Sequence, residues 1–124
     1  MSNFQLKSAS LAGVVLFLLG LPSVRAQDRG VYCSISHPTV RGRGPGEWYF
    51  SSDFPAPKGK SWSEFTRSAE AQFTAYISRR YGVLTRELGG FGCSRDNYND
   101  KTIQQDNRRR EGWTIVDTHW VYEE

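Results

Sequence analysis

Two cysteines, Cys33 and Cys93, constrain this chain more than any other feature. In an oxidising compartment an isolated even pair is most simply one disulfide. Closing a loop of about sixty residues is worth roughly 4 kcal/mol in the chain-entropy model. A redox site would ask for C-x-x-C and a structural zinc site for four clustered ligands. Only His37 and His119 are available as further soft ligands, with no paired spacing, so no metal or other cofactor is expected.

The disulfide reading depends on compartment, and the N-terminal stretch supplies it. Lys7 gives a positive n-region, residues 11–21 an apolar core, Pro22 a break, and Val24-Arg25-Ala26 small residues at −3 and −1 before Gln27. The 11-residue apolar run is too short for the roughly 20 residues that span a bilayer. A lipoprotein box fails because Val14 stands where a cysteine is required. The expectation is a cleaved signal over residues 1–26 and one small α/β domain over 27–124. That domain would be periplasmic or extracellular, with no membrane span after cleavage.

Beyond residue 26 the chain has 14 basic and 13 acidic residues, a balance of +1. So small a charge excludes general nucleic-acid binding. Aliphatic residues are scarce, 11 against 15 aromatics in the same stretch, so the core should be aromatic. A domain of this size buries a modest share of its surface, and a covalent staple would help it.

Apolar and polar residues alternate over 31–36, placing Val31, Cys33 and Ile35 on one strand face. After the Arg41-Gly42-Arg43-Gly44-Pro45-Gly46 connection the alternation returns over 47–54. It sets Trp48, Phe50 and Phe54 on one face and Tyr49 on the other. The two strands read as a hairpin. Ser61-Trp62-Ser63-Glu64 is a capping box that opens a helix with Trp62, Phe65, Ala69, Phe73 and Tyr76/Ile77 on its apolar stripe, stopped by Gly82. Residues 88–93 read as a strand whose glycines signal a bulge or close backbone approach. A second helix over 99–110 carries acids at its start and Arg108-Arg109-Arg110 at its end. Residues 114–122 read as a last strand, with Val116, Trp120 and Tyr122 facing inward. The order β-β-α-β-α-β predicts an α+β fold: a four-stranded mixed sheet with both helices on one face, in two layers, and one disulfide.

Candidate chemistry is thin. Asp117 and His119 lie two apart on the predicted last strand, so an Asp-oriented general base is conceivable there. Ser51 and Ser52 are the available nucleophiles, but no G-x-S-x-G elbow surrounds them. A His37–His119 acid–base pair would require the two to meet in space. The acidic run 96–100 fails as a calcium loop, because Tyr98, Lys101 and Asn107 occupy the third, sixth and twelfth positions. The three arginines 108–110 read as a basic last turn, and Arg41 and Arg43 as an exposed contact loop. Trp48, Phe50, Trp62, Phe65 and Phe73 fit core positions, whereas Tyr49 and Trp113 are candidates for exposure.

Cys33, the Tyr49-Phe50-Ser51 run with Phe54, the helix end at Tyr81-Gly82, Cys93 and the closing Thr118-x-Trp120 resemble small exported bacterial proteins of uncharacterised function. That resemblance covers nearly all of the chain after the signal and implies a shared fold and disulfide, with no activity attached. The strand-helix units are also similar to those of SPOR-type peptidoglycan-binding domains. This chain departs from them in its extra first hairpin strand and in lacking matched repeats. The expected function is a non-enzymatic binding module for a protein or cell-envelope component. A small secreted hydrolase using His119 and Asp117 is the alternative.

Overall fold

The computed structural model describes residues 30–39 and 44–124; the signal segment and the Arg41–Arg43 contact loop lie outside them. Along the chain come β1 (Val31–His37), β2 (Glu47–Phe50), α1 (Trp62–Tyr81), a 3-10 turn (Thr85–Glu87), β3 (Phe91–Arg95), α2 (Asp100–Arg110) and β4 (Thr114–Asp117). The expected order is therefore present. The four strands form one mixed sheet in the order β3-β1-β2-β4. β1 runs antiparallel to both β2 and β3, while β2 and β4 are parallel.

α1 begins as its sequence dictates. The Ser61 hydroxyl accepts from the Glu64 N–H at 3.1 Å, and the Glu64 carboxylate accepts from the Ser61 N–H at 3.0 Å. It ends at Gly82 in the left-handed region, φ 72°, where a side chain would be strained. Phe65, Ala69, Phe73 and Ile77 are buried against Val31, Cys33, Ile35, Tyr49, Phe54 and Trp120. Trp62, the first residue of the predicted stripe, stays 43% exposed because it overhangs the edge of the sheet.

Cys33 and Cys93 are bonded and face each other across β1 and β3. Cys33 bonds through its backbone toward β2: its N–H donates to Ser51 Oγ at 2.8 Å, and its carbonyl accepts from the Ser51 N–H at 2.9 Å. Toward β3 it is thus a non-hydrogen-bonded pair, the arrangement in which facing side chains come closest. The bridge lies on the face that α1 covers.

The helices do not share a face. Tyr32, one residue from Val31 and Cys33, points away from α1, and its hydroxyl donates to Asp100 of α2 at 2.6 Å. Arg108 of α2 stands over the Trp48 ring, and Lys101 pairs with Asp53. The sheet is a middle layer between α1 and α2. The strand order explains this. The crossover from β2 through α1 to β3 runs one way across the sheet, and that from β3 through α2 to β4 runs the other. Two crossovers of one hand that travel in opposite directions must use opposite faces.

This arrangement also reverses part of the expected side-chain pattern. Trp48 and Phe50 face α2, while Tyr49, expected outside, is buried beneath α1 against Tyr81. Phe54 joins the α1 core because regular alternation stops at Phe50; Ser51 turns its hydroxyl to Cys33, and Phe54 re-enters through a bridge to Val31. The glycine-rich third strand begins later than its sequence suggests, at Phe91. Gly89 shows the close backbone approach: its N–H donates to Ser36 O at 2.7 Å, and a Cβ there would come within 2.3 Å of Ser36 Oγ. The last strand ends at Asp117, and beyond it the chain turns down over α1, burying Trp120.

Candidate functional site

The residues named as a general base are not hydrogen-bonded to each other. Asp117 accepts from Gln105 of α2 at 2.9 Å. His119 lies beyond the strand with φ 63°, exposed, and among the described residues no hydrogen bond joins it to Asp117. Its left-handed backbone breaks the period-two geometry that would have aligned the pair. His37 lies at the other end of the sheet, where Nδ1 is 2.8 Å from Glu47 and Nε2 is 3.4 Å from Glu87. Glu47 registers with Thr114, and Phe50 with Asp117, so the length of β4 separates the two histidines, on the order of 10 Å. Ser51 is 1% exposed and bonded on both sides, to Cys33 N–H and to Ser52 O, which leaves its hydroxyl committed to the fold.

The acidic run 96–100 builds the start of α2. Asp96 accepts from the Lys101 N–H at 2.9 Å, and Asp100 receives Tyr32 and Ser94. Burial, reinforced by neighbouring Asp96, pushes the Asp53 carboxyl up, while Lys101 at 2.9 Å opposes the shift. Among the described residues no group of three or more His, Cys, Asp or Glu side chains is placed to hold a metal. The three arginines of the last turn are engaged locally: Arg108 with Glu111, Arg109 with Asp106 and Arg110 with Asn107.

Side chains do converge between α2 and the sheet, in a groove of about 250 Å³. Its floor is Tyr32 and Phe50, stacked with ring centres 6.1 Å apart. Trp48 forms one wall, held edge-on by Trp113 at 4.7 Å and covered by the Arg108 guanidinium at 4.5 Å. Ser34, Ser94, Asp100 and Gln104 supply hydrogen-bonding groups around it. The Trp48 indole N–H is buried with no partner among the described residues. Such a donor costs about 1–3 kcal/mol unmade.

Burial is the main cause that raises the Tyr32 hydroxyl pKa above its usual 10.0, and the hydrogen bond to Asp100 adds to it. The phenol stays protonated and donates to the carboxylate. A raised folded value means that this contribution is complete below pH 10.0 and is lost as pH rises through the folded pKa. Tyr32→Phe should therefore cost about 1.5–3 kcal/mol at neutral pH, as a hydrogen bond to a charged group does. The deficit should narrow in alkali. Urea unfolding of both proteins on either side of pH 10.0 tests this, and a deficit that stays constant would contradict it.

Sequence reasoning missed this groove. Tyr32 and Ser34 fall there on the polar side of a strand, and Arg108 reads as part of a basic last turn. The available signal was that β1 alternates two sets of residues, neither of them strongly charged, which suits a strand covered on both faces. No protein-family model matches the chain, and no curated protein or solved structure matches it either.

Proposed function

We propose that this protein is an exported, non-enzymatic binding module whose groove between α2 and the sheet takes a protein or cell-envelope component. The carrying observation is the convergence of Trp48, Arg108, Gln104 and Asp100 over the Tyr32–Phe50 floor. Hydrogen-bonding groups set around an aromatic floor are the usual composition of a binding cleft. A ligand acceptor would also satisfy the indole donor that the fold leaves unmade. A disulfide fits an oxidising compartment, and no helix among the described residues is long and apolar enough to cross a membrane. A cell-envelope component is the first class of partner to test in such a compartment.

Co-sedimentation of the exported protein with isolated cell envelopes, and separately with peptidoglycan sacculi, tests the reading. Arg108→Ala and Gln104→Ala should each weaken retention, the arginine by about tenfold or more. If the parent protein does not sediment, or both variants sediment as it does, the groove is not the binding site.

A further inference from the structure

We propose that two copies of this chain join edge to edge through β3, antiparallel about a two-fold axis at Cys93, so that their sheets become one. The backbone sets up the contact. Asp96 N–H donates to Gly30 O and Gly89 N–H to Ser36 O, so even-numbered residues of β1 face β3 and odd-numbered ones face β2. In the matching parity of β3, Gly92 and Ser94 bond to β1, while Phe91, Cys93 and Arg95 turn their N–H and C=O groups outward. Among the described residues no strand covers that edge, because β3 is terminal in the sheet.

Natural edges are usually blunted by prolines, bulges or charges that point across them. β3 contains no proline, and it pairs with β1 residue for residue without a bulge. Its one charge, Arg95, lies over the Trp62 ring at 5.6 Å, on the α1 side of the sheet and clear of the outward backbone groups. A Cβ on Gly92 would meet nothing within 4 Å, so no side chain obstructs an incoming strand on the α2 side. The Cys33 bond holds β3 in place before any partner arrives.

Charge selects a second copy over other extended chains. Trp62 of α1 lies by Arg95, and Phe73 lies 6.4 Å from Phe91, so α1 runs antiparallel to β3 above it. Arg67 and Glu70, both exposed, line the groove of about 420 Å³ between this helix and the edge, with Phe91 at its floor. The edge is thus basic at its Arg95 end and acidic toward Phe91. Antiparallel pairing about Cys93 sets Arg95 opposite Phe91 of the other copy, and hence toward its Glu70. The same symmetry brings Arg67 toward that Glu70. An acidic peptide would satisfy the arginines but set like charge against Glu70, whereas a second copy also gives each Glu70 an arginine partner.

The proposal does not rest on the groove beneath α2, so its test can fail independently. Sedimentation velocity of the full exported protein across a concentration series should show a reversible dimer. Arg95→Glu and Glu70→Arg should each raise the dimer dissociation constant by about tenfold or more, since like charges then face each other. The double variant should restore it. Amide exchange at Phe91, Cys93 and Arg95 should slow as concentration rises. A monomer at every concentration, a dimer indifferent to the single changes, or a double variant without recovery would overturn the proposal. So would a monomer whose β3 amides become protected only on adding an acidic peptide.

Discussion

Removing the bridge with Cys33→Ala and Cys93→Ala together should destabilise the protein by about 4 kcal/mol. The bond closes a loop of 60 residues between the first strand and the third, so the oxidised unfolded chain has far fewer conformations to lose. Alanine is the right replacement. Cys33 is completely buried, and a serine there would add the cost of an unbonded hydroxyl, about 1–3 kcal/mol, to that of the lost cross-link. Urea unfolding gives the result directly. The midpoint should fall sharply, and the slope should rise because the uncrosslinked denatured state exposes more surface. A loss below about 1 kcal/mol would show that the β1–β3 ladder holds the sheet edge without the bond. Total stability of a domain this size is commonly about 5–15 kcal/mol, so the variant should be marginal at physiological temperature.

Phe73→Ala should cost about 3–5 kcal/mol. Phe73 is fully buried at the centre of α1 and sits 4.7 Å from Trp120 and 6.4 Å from Phe91, ring centre to ring centre. It therefore connects the helix with the third strand and with the C-terminal segment that follows β4. With so few aliphatic side chains nearby, large planar rings have little freedom to collapse into the space left behind. The expected outcome is a lowered urea midpoint with retained secondary structure at low denaturant. A Phe73→Leu variant, which keeps most of the volume, should recover more than half of the loss. If Phe73→Ala and Phe73→Leu cost the same, ring packing is not what α1 contributes.

Much of this fold was legible along the chain because it depends on neighbours in sequence. The capping box at Ser61 and Glu64, the left-handed stop at Gly82 and the apolar stripe of Phe65, Ala69, Phe73 and Ile77 are local patterns with local causes. The Cys33–Cys93 pairing was readable for a different reason: two cysteines allow one partner each. Alternation over 47–54 misled because it assumed a strand that continues. Ser51 ends the regular pairing by substituting its hydroxyl for a carbonyl, and the phase of Phe54 shifts relative to Phe50. Asp117 and His119 failed in the same way, since the left-handed backbone at His119 breaks the two-residue period.

The candidate groove was not legible at all. Tyr32, Trp48, Gln104 and Arg108 are scattered across three elements, and they meet only because α2 lies on the second face of the sheet. By itself the sequence determined the kinds of element, their order and the covalent link between the first and third strands. Strand order was decided by tertiary structure. Placing β3 at one edge and β4 at the other makes the two crossovers travel in opposite directions, and their common hand then puts α1 and α2 on opposite faces. Nothing in local periodicity carries that information, because a strand covered on both faces and a strand with one wet face differ only in what the rest of the chain brings to them.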